Sequence, residues 1–382
     1  MNIALVGAGG YGGAYIHFFQ EGLLPGLTLN AVVEPFIEKA PAAEWIRAQQ
    51  IPVYQTLDDL YNVMIPDLTI LSTPIPLHVP QAVYCMEHGS HVLCEKPLTP
   101  SYEDALLLKQ VSEKTGRKLG VGFQWSFSDT MLSLKKDIAA GILGRPLFFK
   151  THISWVRPES YYADSNWKGR ICNAAGDLVC DSILTNATAH YLHNILFLNG
   201  ASMETAAMPT ELHGFLGRVY PIETFDTCFV EGALPNGCRF LHIASHGAEI
   251  NSEPKLEYTF ENATVYFDSN TDPTLYAVFK DGHRKEYGQP LSEREVSQKV
   301  SRMVEAIAND TLPCCGVDTI LPHLVTCAKL LEQVPIHTYP VEQQCLQLRG
   351  GSWFTYARGL YEQMALHYEN GTVPEDAVIV RL

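Results

Sequence analysis

The segment Gly7-Ala8-Gly9-Gly10-Tyr11-Gly12 constrains this chain most, because it directly follows the apolar run Ile3-Ala4-Leu5-Val6 and opens an amphipathic helical stretch. A turn of this kind joins a buried strand to a helix. Gly7 permits the tight turn, Gly9 lets a pyrophosphate approach the backbone, and Gly12 allows the helix to pack closely on the strand, with Gly10 and Tyr11 completing the loop. The helix N-terminus adds unpaired N–H groups and the positive end of its dipole, which together favour an anion. Such a loop needs an acidic partner at the end of the second strand, about 20 residues on, to accept bonds from ribose hydroxyls. Glu34, in Asn30-Ala31-Val32-Val33-Glu34-Pro35, holds that position. A carboxylate there repels a 2'-phosphate and no Arg follows it directly, so NAD is expected over NADP.

Apolar runs alternate with amphipathic stretches from Met1 to about Gly122, the pattern of a parallel sheet covered on both faces by helices. Residues 1–122 are therefore expected to form a doubly wound Rossmann domain. After Phe123 the rhythm changes. A helix is expected near 130–140, then the strand-like Pro146 to Trp155, an irregular aromatic segment at 156–181 and an apolar helix at 188–198. Five β-rich pieces follow between Phe225 and Lys280. Asn236-Gly237 and Asp281-Gly282 are hairpin-turn signals, since both residue types tolerate positive φ. Residues 123–345 thus read as an α+β domain with an open, mainly antiparallel sheet. Residues 346–382 are expected to be a helical extension, with a helix over 354–368.

At 382 residues the chain exceeds one ordinary core and fits two domains. Forty-two Asp and Glu against 27 Lys and Arg leave a net charge of -15, with no basic run able to cover a phosphate backbone. Nucleic acid and anionic membrane are therefore excluded as expected partners. The apolar N-terminus lacks a basic flank and is read as part of the fold, and no stretch has the ~20 apolar residues that span a bilayer. Ten cysteines without CxxC spacing are read as buried cytoplasmic thiols rather than disulfides or a metal site. His242 and His246 would share a strand face at i and i+4. No third ligand stands at recognisable spacing, so no metal is expected.

Leu71-Ser72-Thr73-Pro74 with His78, Glu95-Lys96-Pro97, GVGFQWSF at 120–127, GILGRP at 141–146 and AHYLHNILFLNG at 189–200 carry a family resemblance. Together with the glycine loop they make the chain similar to the Gfo/Idh/MocA family of NAD(P)-dependent oxidoreductases over about residues 1–200. The resemblance implies a substrate held between the two domains, and Thr73, Pro74, His78, Glu95, Lys96 and Gln124 beside the cofactor. It also implies a cis peptide before Pro97.

Lys96 lies at the C-terminal end of a strand, where ligands of parallel sheets bind, and its cation can hold a substrate hydroxyl and stabilise developing alkoxide. Glu95 could orient it. By the resemblance His190 is the general acid/base, and an imidazole suits proton exchange at neutral pH. Here the chain departs from the family pattern. Asn186 occupies the position of the supporting aspartate, and His193 that of a further aspartate. Three arrangements stay open: His190 with weaker support, Asp181 supplying the carboxylate, or His193 carrying the proton. Trp155, Arg157, Tyr161, Tyr162, Trp167, Lys168 and Arg170 form an aromatic and basic segment suited to a sugar ring, with Trp155, Arg157 and Trp167 as candidate substrate contacts.

These residues point to a dehydrogenase of a sugar, sugar derivative or cyclitol. Two rivals stand beside it: a glycoside-modifying enzyme that oxidises transiently with bound NAD, and a non-catalytic NAD/sugar-sensing regulator. A sheet with one uncovered face is expected to pair with another copy, giving a cytoplasmic homodimer or homotetramer.

Overall fold

The computed structural model describes residues 1–382 and divides the chain into two compact units. The first comprises Met1–Asp129 and Leu291–Leu321, the second Thr130–Pro290 and Pro322–Leu382.

The first unit holds β1 (Ile3–Val6), α1 (Gly12–Gln20), β2 (Leu29–Val33), α2 (Ala43–Ala48), β3 (Val53–Tyr54), α3 (Leu57–Tyr61), β4 (Leu68–Leu71), α4 (Ile75–Glu87), β5 (His91–Cys94), α5 (Tyr102–Thr115) and β6 (Leu119–Val121). Its strands form one parallel sheet in the order β3-β2-β1-β4-β5-β6. β1 and β4 are buried throughout, which is why they read as continuous apolar runs. The helices carry their own start signals. Thr56 and Asp59 form a reciprocal capping box on α3, and Ser101 accepts the Asp104 N–H on α5. Strand order reverses between β1 and β4, so the crevice beyond their C-terminal ends is the topological switch point of the sheet. The glycine loop leaves β1 there.

The second unit contains α6 (Asp129–Ala139), β7 (Pro146–Ser154), α7 (Ser160–Ala163), α8 (Ala189–Leu198), β8 (Glu211–Arg218), β9 (Thr227–Ala233), β10 (Arg239–Ser245), β11 (Ser252–Phe260), β12 (Ala263–Asp268), β13 (Asp272–Phe279) and β14 (Arg284–Gly288). The chain then enters α9 (Glu293–Ala308), which belongs to the first unit, and α10 (Val317–Gln333), followed by β15 (Ile336–Thr338), β16 (Gln344–Arg349), β17 (Ser352–Ala357), α11 (Leu360–Asn370) and β18 (Val378–Val380). The large sheet runs β14-β13-β12-β11-β7-β10-β9-β8-β15, with β18 pairing on β8. β7–β10 and β8–β15 are parallel and the remaining pairs antiparallel. Asn236-Gly237 and Asp281-Gly282 turn the β9–β10 and β13–β14 hairpins.

Two segments differ from the sequence expectation. Residues 291–321 return to the first unit, where α9 packs against α1 and β5. Residues 352–357 are a strand, not the start of a helix: β16 and β17 form a separate hairpin about Gly350-Gly351, and the helix begins at Leu360. Leu360, Met364 and Tyr368 of α11 pack with Phe229, Leu241 and Ile243, so this helix covers part of the sheet. No helix of the chain is long and apolar enough to cross a membrane.

Candidate dinucleotide site and acid–base cluster

In the first unit the glycine loop is defined by close backbone approach. Gly7 has φ +88°, and a Cβ there would lie 2.6 Å from the Ser72 carbonyl oxygen. A Cβ on Gly12 would lie 2.0 Å from the Gly7 carbonyl oxygen. Any side chain at either position displaces backbone. At Gly9 and Gly10 a Cβ meets nothing within 4 Å, so the outer side of the loop is open to a ligand. Glu34 is held toward this loop, its carboxylate accepting the Ala8 N–H and the Phe36 N–H at 2.9 Å each. Loop, helix terminus and acid therefore fit a dinucleotide.

Lys96 follows β5, and the Lys96–Pro97 peptide is cis, as the resemblance implied. His78 is buried in α4, with its ring nitrogens 2.9 Å from the Pro97 carbonyl and 2.8 Å from the Thr73 carbonyl. It ties the Thr73-Pro74 turn to the Lys96-Pro97 turn, and so bears on a ligand through backbone. Thr73 donates its hydroxyl to Gln81 at 2.6 Å.

Glu95 is buried and answers to a residue that the sequence reading missed. Lys299 of α9, also fully buried, donates to Glu95 Oε1 at 2.5 Å and lies 3.4 Å from the Tyr11 hydroxyl. The Tyr15 hydroxyl donates to the same Glu95 oxygen at 2.7 Å, and Glu95 Oε2 accepts the Lys96 backbone N–H at 3.1 Å. The ammonium also sits 4.4 and 4.5 Å from the Tyr11 and Tyr15 ring centroids. Burial alone would raise the Glu95 pKa, but the charge and hydrogen bond of Lys299 outweigh it and hold the carboxyl below its ordinary value. Tyr11 reaches Gln124 Oε1 at 3.3 Å, which links this network to the segment after β6. The sequence signal was available: Lys299, Met303 and Ala306 fall at i, i+4 and i+7 on one buried stripe of α9.

In the second unit a single π-helical turn, Ile183–Ala187, is capped by Ser182 and precedes α8. Such turns concentrate at functional sites. It carries Asn186, whose amide donates to Asp181 Oδ1 at 2.9 Å, while Asp181 Oδ2 accepts the Gly169 N–H at 2.7 Å. Asp181 is buried, so a carboxylate does stand behind the amide. On α8 His190 is partly exposed, whereas His193 is fully buried, stacked on Phe197 and edge-on to His323. Burial, with the charges of His323 and Lys135, keeps His193 neutral.

The aromatic segment also resolves into roles. Trp155 donates its indole N–H to Glu253 at 2.9 Å. Arg157 lies over the Trp155 and Tyr161 rings, Lys168 over Tyr161 and Trp167. His242 and His246 bond different partners, Thr151 and the Tyr162 hydroxyl, each at 2.7 Å.

Comparison with known proteins agrees with this geometry. Residues 1–123 match the family described as oxidoreductase family, NAD-binding Rossmann fold. Residues 1–123 are thus similar to the NAD-binding domain of the Gfo/Idh/MocA oxidoreductases. It is 35% identical over 151 residues, 38% of its length, to inositol 2-dehydrogenase 4 of Saccharopolyspora erythraea, covering 43% of that protein. The match thus spans less than half of that curated relative. Among solved structures it resembles the aldose-aldose oxidoreductase of Caulobacter crescentus, with TM-score 0.69 and 20% identity over 85% of this chain and 94% of that one. The WlbA dehydrogenase of Bordetella pertussis, solved with NADH and UDP-GlcNAcA, gives TM-score 0.66 at 20% identity over 86% of this chain and 95% of that one. At such identity these two establish the fold.

Proposed function

We propose that this chain is an NAD-dependent dehydrogenase that oxidises or forms a CH–OH centre of a sugar, sugar derivative or cyclitol. The observation that carries the reading is the placement of Lys96 after β5, anchored by the Glu95–Lys299 pair, in the same unit as an open glycine loop with Glu34 beside it. The naming of relatives as inositol and sugar dehydrogenases supports the substrate class.

The loop N–H groups would hold the pyrophosphate and Glu34 the adenosine ribose hydroxyls, with Thr73, Pro74 and Gln124 flanking the dinucleotide. NAD(H) is therefore expected to bind more tightly than NADP(H). Bound NAD supplies the two-electron acceptor. Lys96 donates a hydrogen bond to the substrate oxygen and stabilises the negative charge that develops on it. His190 takes the hydroxyl proton, and Asp181 acts through Asn186 to position that end of α8. A cytoplasmic homodimer or homotetramer belongs to the same reading.

A thermal-shift screen of sugars and cyclitols with NAD, followed by absorbance at 340 nm, tests it. NADH formation with one such polyol is the expected result. Shifts without any redox signal would overturn the dehydrogenase reading in favour of a regulator. Cofactor that co-purifies and turns over with no net NADH would favour transient oxidation.

A further inference from the structure

Three nitrogen groups of the second unit converge on one ring. The Arg157 guanidinium lies 5.2 Å and the Lys168 ammonium 3.9 Å from the Tyr161 centroid, and the His246 ring stands edge-on to Tyr161 at 5.6 Å. Neither cation has an acidic partner within ion-pair distance. Asp181 is the carboxylate whose charge reaches the cluster, and both its oxygens already accept bonds from Gly169 and Asn186.

His246 is buried at 2% exposure, and its Nε2 has no hydrogen-bond partner. Burial, together with the charges of Arg157 and Lys168, keeps this ring neutral. The Tyr162 hydroxyl bonds its Nδ1 at 2.7 Å and has no other acceptor, so it donates there and leaves the ring proton on Nε2. Arg157 Nε is likewise buried and unpartnered. The half-buried site thus sets two cations against the single Asp181 carboxylate, and a ligand oxyanion would balance the remaining positive charge. A guanidinium fork matches the planar oxygens of a carboxylate or two oxygens of a phosphate.

We propose that Arg157, Lys168 and His246 form a subsite for an anionic substituent, so that the substrate is an acidic or phosphorylated sugar rather than a neutral one. The inference rests on the sugar dehydrogenase reading and narrows its substrate class.

Calorimetric titration of the full chain with NAD tests it, using D-glucuronate, D-glucose 6-phosphate and neutral D-glucose as probes. At least one anion is expected to bind about tenfold or more tighter than D-glucose, and whichever does so separates a carboxylate from a phosphate ligand. Arg157→Gln and Lys168→Gln are each expected to erase that advantage while NAD affinity stays unchanged. Lys168→Gln serves if Arg157→Gln does not fold. Equal binding of all three probes, binding of neither anion, or a preference that survives in both variants would overturn the subsite. Anion preference without NADH formation from any polyol keeps the subsite and removes the dehydrogenase reading; turnover of neutral polyols alone does the reverse.

Discussion

Replacing Lys299 by methionine removes one charge from an ion pair sealed from solvent, with side-chain exposures of 0% for Lys299 and 8% for Glu95. The Glu95 carboxylate keeps the Tyr15 hydroxyl and the Lys96 N–H as donors but loses its cation. An uncompensated buried charge of this kind costs about 3 to 5 kcal/mol. For a unit of this size each kcal/mol moves the melting temperature by about 2 to 4 °C, so Lys299→Met is expected to lower it by about 6 to 20 °C. The pH dependence identifies the cause. In the wild type Glu95 titrates below its unfolded value, so the pair stabilises above that value and the gain is lost as pH falls through the folded one. Without Lys299, burial raises the folded carboxyl above its unfolded value. The penalty is then present at neutral pH and fades as pH falls toward the unfolded value, closing the gap to wild type between about pH 7 and about pH 4.5. Glu95→Gln added to Lys299→Met recovers most of the loss by removing both charges. Scanning calorimetry at several pH values reads all of this. A single variant melting within about 2 °C of wild type, or a gap independent of pH, refutes the reasoning.

Gly12→Ala puts a Cβ against the Gly7 carbonyl and is expected to cost about a hundredfold in NAD affinity by displacing the loop, read by titration; unchanged affinity would show that the loop does not hold the dinucleotide. The second unit should be acid-labile. Burial, with the charge of Lys255, lowers His152 to about 4, and burial, with that of His323, lowers His242 to about 3. Because the unfolded chain takes these protons near pH 6.5 and the folded one does not, stability falls with pH. The loss is about 2 kcal/mol per histidine between about pH 7 and about pH 5, visible as a lower urea midpoint at the acid end. Equal midpoints would mean that the two rings are not buried as neutral groups.

The parts legible in the sequence are those whose physics is local. The glycine loop, its acid at Glu34, the parallel-sheet rhythm and both hairpin turns announce themselves within short windows, and the structure contains each of them. Lys299 was not legible in the same way. Its meaning depends on Glu95, more than two hundred positions earlier in the chain, and only its place on the buried stripe of α9 hinted at it. The 344–357 hairpin was lost because Phe354 and Tyr356 were read into a helix over 354–368, although the Gly350-Gly351 step and the alternation around it favour a strand pair. Asp181 stood in the sequence as one of three open arrangements of the acid–base residues. Its bond to Asn186 depends on the turn geometry of 182–187, which no spacing rule encodes.

The central claim is that Lys96 acts on the substrate while the glycine loop and Glu34 hold the cofactor. Its most direct test is a paired measurement on Lys96→Ala: NAD affinity by calorimetry, and NADH formation at 340 nm with a polyol that the wild type oxidises. The prediction is NAD affinity within about twofold of wild type and turnover reduced by about a thousandfold, the loss of a charged group that stabilises developing oxyanion. Wild-type turnover in Lys96→Ala would contradict it.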